Sequence, residues 1–545
     1  MDLAAEIKKI IAGDVFADEA TLKKYSRDAS LFSVKPQIVV FPKNIDDIKS
    51  VVKFVNKNKT QYPGLSITAR SAGTDMTGGP LNESIILDFT KYFNKLKKLE
   101  GEYAVVEPGM FYRDFEEETL KQGTIMPSYP ASKSLCALGG MVANNAGGEK
   151  SLIYGKTIDY VEELKVILSD GEEYRLQDLS GPELKAKIQQ SNFEGQLYNR
   201  VHALLDKNYD LIQKAKPNVS KNSSGYYLWE AGDRQSLNLA KLMIGAQGTL
   251  GIITEIKMRL VKTKQSSGMG VVFVKNLSQL SGLIQKVLPL KPSSFESFDY
   301  KTLKLAIRFF PRLLKSIGAK NLFSLGLSFL PDLWTILTFG MPKLVLLVEF
   351  EENSQEEVAS KLSSLSEALK GAGVKLLLAK NKQQTNKYWT MRRESFNLLR
   401  QKVKDKSTAP FIDDVIVLPE KLPEFLPKLY EILNKYKLNY TIAGHMGNGN
   451  FHVIPLMNLE DDEELQKIPA AADEVYKLVL DFNGSISAEH NDGLIRSPYL
   501  LKMFGAEVYE LFKQTKNIFD PNNIFNPGKK VGATMKYALE HIQPK

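Results

Sequence analysis

Three of the chain's five histidines lie close together in the sequence and could bind a metal ion. His445 and His452 are separated by a short glycine-containing stretch, and His490 directly follows Glu489. Two imidazoles and one carboxylate suit Zn²⁺, Mn²⁺ or Fe²⁺ and leave coordination positions open for a substrate. His490 would then stand beside the metal, free to act as a base. The alternative is that these are ordinary polar residues in a tight hairpin.

The elements around these histidines would bring both rings to one point. Residues 440–445 and 450–454 have the composition of two strands, with Gly447 and Gly449 between them. Glycine enters tight turn conformations without steric cost, so a hairpin can place His445 beside His452. The H-E-x-x-H spacing of a helical metalloprotease is absent from the sequence, which argues against that kind of hydrolase.

The length and the cysteine content limit the class of protein. A chain of 545 residues exceeds what one hydrophobic core normally supports, so we expect two or three domains. The single cysteine, Cys136, excludes disulfide bonds and iron–sulfur clusters within the chain. Electrons that the protein handles must therefore leave through another carrier. Residues 1–30 have no apolar signal-peptide core, and the sequence predicts a cytoplasmic protein.

The net charge does not indicate a nucleic-acid partner. The chain has 72 lysines and arginines against 63 acidic residues, which gives a charge of +9. The basic residues are scattered, and no RNA-binding or helix-turn-helix motif occurs. We expect no nucleic-acid partner.

Two glycine-rich stretches predict a phosphate-bearing ligand. Residues 36–42 and 65–70 read as strands around a helical segment, a β-α-β unit. The second strand leads into the stretch from Arg70 to Gly79, whose backbone N–H groups could turn toward an anion. A second glycine-rich stretch covers residues 138–148 and is followed by Gly155. Two such loops indicate a long ligand such as a dinucleotide.

The sequence contains neither the Rossmann motif for dinucleotides nor a complete P-loop for nucleotides. No G-x-G-x-x-G occurs, so a Rossmann site for NAD is not supported. Gly155-Lys156-Thr157 resembles the end of a P-loop, but Lys150 stands where the first glycine of that motif is required.

Six motifs, in order along nearly the whole chain, resemble the FAD-dependent D-2-hydroxy-acid dehydrogenases of the vanillyl-alcohol oxidase and p-cresol methylhydroxylase superfamily. They cover residues 70–79, 139–148 with 154–155, 245–253, 444–452, 489–490 and 519–529. The resemblance implies an α+β fold with a two-subdomain FAD-binding domain and a cap domain of antiparallel sheet and helices. The implied boundaries are 1–262 for the FAD domain, 263–480 for the cap and 481–545 for a tail that returns to the flavin site.

The same resemblance implies a flavin site. The first loop would hold the pyrophosphate, the second would line the flavin, and two further residues would lie near its ring. The implied cofactor residues are Arg70, Ser71, Ala72, Gly73, Thr74, Gly78, Gly79, Gly139, Gly140, Asn144, Gly147, Gly148, Gly155, Ile252 and Asn526. Members that attach FAD covalently often carry a histidine in the first loop, where Thr74 and Asp75 stand here. We therefore expect dissociable FAD.

The implied reaction is oxidation of a D-2-hydroxy acid to the 2-oxo acid. Arg392, in a Trp-x-x-Arg pattern, would grip the substrate carboxylate, with Arg393 as the fallback; the alternative is a surface helix with Arg–Glu pairs. A divalent metal, Zn, Mn or Fe, would bind His445, His452 and Glu489, and His490 would take the hydroxyl proton. The strand over residues 410–417 also resembles a family strand that carries an acid near the site.

The substrate and the electron acceptor stay open at this point. D-lactate is the first choice, with D-2-hydroxyglutarate or glycolate as alternatives. The acceptor would be a quinone, a cytochrome, an electron-transfer flavoprotein or a separate iron–sulfur subunit. A sugar or alditol oxidase of the same superfamily, and a non-catalytic flavoprotein electron carrier, are competing interpretations.

Three positions depart from the family pattern. Asn448 stands where the family commonly has Asp, Gln247 replaces a usual Glu, and Asn491 replaces a Gly. None of them removes a proposed ligand, but together they leave the metal and the substrate less defined than the reaction type.

Residues 301–342 combine a basic amphipathic segment with a broken apolar one. Pro331-Asp332 interrupts the apolar part, so neither half is long enough to span a bilayer. We expect the segment to cover the cap or to form a subunit contact in a homodimer. The alternative is peripheral contact with the inner face of the membrane.

Overall fold

The first sheet carries the predicted β-α-β unit. The computed structural model describes residues 2–300, 302, 304, 330–379, 384–393 and 406–543. In its first sheet the order is β1-β2-β4-β3, with β2 and β3 parallel to β4 and β1 antiparallel at the edge. These strands are β1 (Asp14–Phe16), β2 (Ile38–Phe41), β3 (Ile67–Arg70) and β4 (Ile85–Asp88). The predicted strands at 36–42 and 65–70 are confirmed as β2 and β3.

The helix between β2 and β3 forms because its apolar residues recur on one face. Ile48, Val51, Val52 and Val55 are buried against the sheet, and the Asn44 side chain caps the N-terminus by accepting from the Asp47 N–H. This packing fixes the direction in which β3 leaves the sheet and enters the loop after Arg70.

The second sheet is antiparallel and follows the order β10-β9-β8-β11-β6-β5. Its strands are β5 (Leu96–Glu100), β6 (Tyr103–Val106), β8 (Val161–Ile167), β9 (Glu173–Ser180), β10 (Ser236–Asn238) and β11 (Ile252–Arg259). A separate short pair joins β7 (Thr124–Ile125) to β12 (Val261–Lys262). The helical segment Leu500–Phe519, which is kinked at Gly505, packs Phe512 and Phe519 into the core of this second sheet. The tail therefore returns to the first half of the chain.

The third sheet is antiparallel, in the order β16-β13-β15-β14-β19-β20-β17, and β18 also pairs with β20. Its strands are β13 (Ser266–Val274), β14 (Ser294–Asp299), β15 (Leu344–Glu352), β16 (Lys375–Ala379), β17 (Ser407–Thr408), β18 (Asp414–Ile416), β19 (Asn439–His445) and β20 (Asn450–Met457). The predicted α+β class, with two sheets ahead of an antiparallel cap sheet, is confirmed.

Helices cover these sheets. Those of the first half are Leu3–Lys8, Glu19–Tyr25, Ile45–Asn58, Tyr112–Lys121, Leu138–Asn144, Ser151–Tyr154, Gly181–Ile188, Phe193–Lys207, Tyr209–Ala215 and Leu239–Met243. Those of the second half are Leu280–Val287, Leu330–Phe339, Gln355–Ala368, residues 384–393, Leu422–Lys435, Asp462–Asp481, Gly493–Arg496, Leu500–Phe519 and Met535–Glu540. Short 3-10 turns are Thr157–Asp159, Leu228–Glu230, Leu277–Gln279, Leu288–Leu290, Pro419–Lys421, Met446–Asn448 and Ser497–Tyr499.

The apolar segment singled out in the sequence is described only in part. Residues 301, 303 and 305–329 lie outside the described residues, so the expectation for that stretch applies to the structure only from residue 330 onward. The helix Leu330–Phe339 exposes Trp334 and Leu337, which are 67% and 79% accessible. Among the helices that the structure describes, none has both the length and the apolar character needed to cross a membrane.

Candidate active site

The predicted histidine hairpin is present. Strands β19 and β20 pair antiparallel, and the 3-10 turn Met446–Asn448 connects them. The register sets His452 opposite Ala443, so its ring projects near the end of β19, where His445 lies. Gly449 has a φ of +73°, and a Cβ there would lie 1.9 Å from the Val417 carbonyl oxygen. Only glycine fits this turn, and the turn brings the two histidines together.

Three imidazoles converge on one carboxylate oxygen. The Nε2 atoms of His445, His452 and His490 lie 2.9, 3.4 and 3.9 Å from Glu489 Oε1. The ring centroids of His445 and His452 are 5.2 Å apart, and those of His452 and His490 are 4.8 Å apart. The structure thus brings together all four residues that the sequence singled out.

Carboxylates hydrogen-bond the other ring nitrogen of His445 and His490, and a third carboxylate contact lies near that of His452. Glu296 Oε1 lies 2.7 Å from His445 Nδ1. Asp413 accepts a hydrogen bond from His490 Nδ1, and its Oδ1 lies 3.5 Å from His452 Nδ1. Histidines that bind metals usually present one nitrogen to the metal and the other to a carboxylate or carbonyl. The three rings here have that orientation toward Glu489.

One group of side chains has the donor atoms that could hold a divalent cation. Ligand atoms of Asp414, His452, Glu489 and His490 all lie within 4.8 Å of one another. Asp414 Oδ2 already accepts from the backbone N–H groups of Glu489 and His490 at 2.7 Å each, which makes it a support for the loop rather than a ligand. Without Asp414, the donors of this group are His452, Glu489 and His490, whereas the expected set was His445, His452 and Glu489 with His490 beside the metal.

A buried lysine contacts the same carboxylate from the other side. Lys221 Nζ lies 2.8 Å from Glu489 Oε2 and donates to Asn450 Oδ1 at 3.0 Å. Burial alone would raise the pKa of Glu489, but His445 and Lys221 hold it well below its ordinary value. The carboxylate is therefore ionised, with Oε1 turned toward the histidines.

The neighbouring acids also change the histidines. Burial lowers the pKa of His452, but hydrogen bonding to Asp413 and Glu489 outweighs it and raises that pKa to about 10. Burial likewise lowers the pKa of His490, and the carboxylates of Asp413 and Asp414 reverse the effect, so its pKa is raised. A metal that binds His452 must displace its proton.

Arg392 contacts the histidine cluster indirectly, through the carboxylate of Glu296. Its Nη2 is 2.5 Å from Glu296 Oε2, and Glu296 is the residue that contacts His445. Arg393, the fallback choice, forms an ion pair with Glu149 instead, and its guanidinium lies 5.1 Å from the centre of the Trp389 ring. The side chain of Arg392 is 5% exposed and that of Arg393 is 38% exposed. Of the two, Arg392 is the one connected to the histidines.

A cleft runs between the two glycine-rich stretches. Asn144 Nδ2 donates to Asp75 Oδ1 at 2.7 Å and ties the stretches together. The expected cofactor residues that line this cleft are Arg70, Ser71, Ala72, Gly73, Thr74, Gly79, Gly139, Gly140 and Asn144.

The cleft fits FAD at the glycines. A Cβ on Gly139 would lie 2.5 Å from Pro108 Cβ and 2.9 Å from Ser71 Oγ, so the helix can approach the first loop only with glycine there. A Cβ on Gly140 would meet only Ser71 Cβ, at 3.8 Å, and that position faces the cleft. Close backbone approach on one side and an open glycine on the other form a cradle for a ligand.

The first loop differs from the expected cradle of N–H groups. Asp75 Oδ2 accepts from the N–H groups of Thr77 and Gly79 at 2.9 and 2.8 Å. Arg70 is buried and donates to the carbonyl oxygens of Tyr25 and Arg27. Asp75 and Arg70 therefore brace the loop from inside, and part of its hydrogen-bonding capacity is used by the protein itself.

Six expected cofactor residues lie outside the cleft lining: Gly78, Gly147, Gly148, Gly155, Ile252 and Asn526. Ile252 is buried in the core of the first sheet, and Ile253 lines the cleft, because successive residues of a strand face opposite sides.

Two of these outlying residues, Gly147 and Asn526, contact other parts of the site, and Gly148 packs against Tyr129. A Cβ on Gly147 would lie 3.1 Å from Glu489 Oε2, so this glycine belongs beside the histidine cluster. Asn526 donates to the carbonyl oxygens of Gly79 and Gln247, which attaches the tail to the first loop. A Cβ on Gly148 would lie 2.1 Å from the Tyr129 carbonyl oxygen.

The three departures from the family pattern have local hydrogen-bonding roles. Gln247 accepts from the Gly493 N–H, and Asn491 donates to the carbonyl oxygens of Asn144 and Gly245. Asn448 donates to Ser220 Oγ at 3.0 Å. Gln247 and Asn491 connect the glycine-rich stretches to the segment that carries Glu489.

Sequence reasoning did not identify Glu296 or Lys221, and it gave Asp413 no defined role. Glu296 is 149 positions from His445, and Lys221 is 268 positions from Glu489. Their contacts depend on how β14 and the 220–225 segment pack in three dimensions. The available signal was chemical, since acids and lysines are almost never fully buried unless paired, but burial was not visible from the sequence.

Comparison with protein families identifies both halves of the chain. The model described as "FAD binding domain" matches residues 36–177, and "FAD linked oxidases, C-terminal domain" matches residues 265–530. Together they extend over most of the described chain, and the second match continues past the predicted boundary at residue 480.

Several curated proteins are similar to this chain. The D-2-hydroxyglutarate dehydrogenase of Pseudomonas putida is 27% identical over 526 residues, which are 95% of this chain and 50% of that protein. The D-lactate dehydrogenase of Anaerostipes hadrus is 26% identical, covering 96% of this chain and 94% of that protein. The glycolate oxidase subunit GlcD of Bacillus subtilis is 25% identical, covering 93% and 91%. The chain thus spans about half the length of the Pseudomonas relative.

Solved structures share the fold at low identity. The 4-ethylphenol oxidase of Gulosibacter chungangensis matches with a TM-score of 0.68 and 16% identity, covering 97% of this chain and 96% of that one. p-Cresol methylhydroxylase with substrate bound matches with a TM-score of 0.66, 16% identity and the same coverage. The expected p-cresol methylhydroxylase type of fold is confirmed.

Proposed function

Because the chain belongs to the FAD-dependent oxidases in which a FAD binding domain precedes a FAD linked oxidase C-terminal domain, we propose that it oxidises a D-2-hydroxy acid to the 2-oxo acid. The observation that carries the proposal is the convergence of three imidazoles on Glu489 Oε1, next to an arginine that contacts the same network through Glu296. An alcohol with a neighbouring carboxylate is the substrate that such a pair of groups would bind.

The two groups that the chain would bind supply distinct chemistry. FAD, bound without a covalent link in the cleft of the glycine-rich stretches, supplies the acceptor for the hydride that leaves the α-carbon of the substrate. A divalent ion of the Zn, Mn or Fe type on His445, His452 and Glu489 supplies Lewis acidity toward the substrate hydroxyl.

The proposed base is His490. Its Nδ1 donates to Asp413, so Nε2 is the nitrogen left to accept a proton, and Nε2 faces the side of Glu489 on which the other imidazoles converge. The raised pKa of His490 favours proton capture from an alcohol. Asp413 holds the ring in this tautomer and stabilises the imidazolium that forms after proton transfer.

The proposed substrate clamp is Arg392. In the structure its guanidinium lies beside Glu296, a buried acid that is 2% exposed in its side chain. A substrate carboxylate would bind the guanidinium through two parallel hydrogen bonds, and Glu296 would hold the guanidinium in place for it. Glu296 also contacts His445, so one acid would position both the clamp and a metal ligand.

D-lactate is the first choice of substrate, with D-2-hydroxyglutarate and glycolate as alternatives. The full-length coverage of the Anaerostipes D-lactate dehydrogenase supports the first choice, and the Pseudomonas and Bacillus relatives support the others. The electrons would pass to an external acceptor, which would be a quinone, a cytochrome, an electron-transfer flavoprotein or an iron–sulfur subunit.

The experiment is an anaerobic titration of the yellow protein with four acids: D-lactate, L-lactate, D-2-hydroxyglutarate and glycolate. We expect D-lactate to bleach the visible flavin band and L-lactate to leave it unchanged. Bleaching by D-2-hydroxyglutarate or glycolate in place of D-lactate would change the substrate and keep the reaction class. A flavin band that none of the four acids bleaches would refute the proposed function.

We further propose that the helix Leu330–Phe339 makes a peripheral contact with the membrane or with a second subunit. Trp334 and Leu337 are exposed on it, and exposed aromatic and aliphatic side chains favour such contacts. Flotation with anionic and with neutral liposomes separates the two readings. If the protein floats with liposomes and the double variant Trp334→Ser/Leu337→Ser does not, the membrane contact is supported. If the double variant sediments with a lower mass than the wild type, a homodimer is supported.

A further inference from the structure

A second cavity, of about 320 Å³, lies away from the cleft of the glycine-rich stretches. Its walls come from Gly64 and Ser66 ahead of β3, from Asn82 and Glu83 ahead of β4, and from the tail between residues 523 and 537. The cavity therefore lies at the N-terminal ends of two strands whose C-terminal ends lead toward the flavin cleft.

One side chain in this cavity is unusual for its charge. Lys529 is 3% exposed, and its Nζ donates to the carbonyl oxygens of Leu81 at 2.6 Å and Pro527 at 3.4 Å. An ammonium group has three N–H donors, and burial of a charge is costly unless it is paired. No ion pair of Lys529 with an acid is present within the part of the chain that the structure describes.

Seven lysines are buried among the residues that the structure describes. Four of them form ion pairs with carboxylates: Lys150 with Glu349 and Glu351, Lys221 with Glu489, Lys516 with Asp520, and Lys530 with Asp492. Lys156 donates to three oxygen atoms, and the Lys387 ammonium lies 4.3 Å from the centre of the Tyr388 ring. Of the seven, Lys529 is the one that lines this cavity.

The surroundings add positive charge and polar groups. Lys59 also lines the cavity, with its Nζ donating to the Leu65 carbonyl oxygen at 2.9 Å. Glu83 is the acid in the wall, but its carboxylate accepts from the Tyr537 hydroxyl at 2.7 Å and lies 3.4 Å from His541 Nε2. Burial lowers the pKa of Lys529 to about 7, and the carboxylates of Glu83 and Asp28 offset only part of this effect.

We propose that this cavity binds a compact oxyanion, of the phosphate or carboxylate type, whose charge pairs with the Lys529 ammonium and whose oxygens reach Lys59 and Ser66. Such a ligand would join the tail to the first sheet. Asn526, three residues before Lys529, donates to the Gly79 carbonyl oxygen in the first glycine-rich stretch. An anion here would therefore stabilise the tail that supports the flavin cleft.

The first measurement uses the FAD-loaded wild-type protein in phosphate-free buffer. Calorimetric titrations with inorganic phosphate, sulfate and acetate distinguish the dianions from a monocarboxylate. We expect saturable binding of one oxyanion per chain, in the millimolar range or tighter, and a higher melting temperature in its presence. If none of the three anions binds saturably, the proposal is wrong.

Variants then locate the site. Lys529→Gln should weaken binding about tenfold or more, since a hydrogen bond to a charged group contributes ~1.5–3 kcal/mol. Lys536→Gln removes one positive charge from the same tail at a side chain that is 84% exposed, and it should bind as the wild type does. Equal affinity in Lys529→Gln and in the wild type would overturn the proposal.

A second pair of variants covers the case in which Lys529→Gln does not fold. Ala533 lines the cavity and is partly exposed, so it tolerates a longer side chain. Ala533→Glu supplies a built-in carboxylate and should abolish phosphate binding while it raises the melting temperature. Ala533→Gln has the same shape without the charge and should do neither. Undiminished phosphate binding by Ala533→Glu would contradict the proposed position of the anion.

Discussion

The most informative substitution in the proposed active site is Arg392→Lys. Lysine keeps a positive charge beside Glu296, whereas Arg392→Ala would leave that buried acid without its cation, at a cost of ~3–5 kcal/mol in stability. Lysine cannot form two parallel hydrogen bonds to a carboxylate. The loss of one charge-assisted hydrogen bond, worth ~1.5–3 kcal/mol, predicts a kcat/KM for D-lactate that falls about 10- to 150-fold.

The assay is steady-state oxidation of D-lactate with an artificial electron acceptor, together with thermal unfolding to confirm the fold. Arg393→Lys is the matched control, because the neighbouring arginine pairs with Glu149 and is partly exposed. We expect this control to change kcat/KM much less than Arg392→Lys does. A larger loss in Arg393→Lys would assign the clamp to Arg393, and activity unchanged in both variants would favour a sugar or alditol as substrate.

Three further predictions concern other parts of the molecule. Asp413→Asn should lower kcat about 10- to 100-fold at constant FAD content, because His490 would lose the carboxylate that orients its ring. An unchanged kcat in the same assay would rule out this role. Gly139→Ala should destabilise the FAD-free protein by ~1–3 kcal/mol in urea unfolding, because the added methyl group would overpack the contact with Pro108 and Ser71. Gly140→Ala should leave the stability unchanged and weaken FAD binding, which fluorescence quenching measures. Equal stability of the two variants would contradict the packing argument. Burial and Asp75 raise the pKa of Asp28 from 3.8 to about 7, so the folded state holds more protons than the unfolded state between these values, and the free energy of unfolding should fall as the pH rises through this range. Asp28→Asn should flatten this part of the pH profile, and an unaltered profile would refute the assignment.

The sequence predicted the parts of the site that are local in the chain. The hairpin that carries His445 and His452 follows from two strand-like runs and the glycines between them, and the loop after Arg70 follows from a strand that ends in small residues. Both depend on backbone preferences of neighbouring residues. The short segment Glu489-His490 was identified by its chemistry alone, and the structure places it against the hairpin.

The parts that the sequence did not predict depend on packing between distant elements. Glu296 lies on β14, which pairs with β19, and that pairing alone brings its carboxylate to His445. Lys221 reaches Glu489 from a segment that lies 268 positions earlier in the sequence. Ile252 was expected in the cleft, but its neighbour Ile253 lines it, because successive residues of a strand face opposite sides. Tertiary structure determines which strands pair and to which side of the sheet each side chain points.

The central claim is that a metal ion and His490 jointly prepare an alcohol whose hydride passes to bound FAD. The most direct measurement is rapid anaerobic mixing of the FAD-loaded protein with D-lactate, before and after complete removal of metal by a chelator and after addition of Zn²⁺ or Mn²⁺. The account predicts that flavin reduction is fast in the metal-loaded protein, slow after chelation and restored by the added ion. Flavin reduction at the same rate with no metal bound, or no reduction by D-lactate or by the other D-2-hydroxy acids, would contradict it.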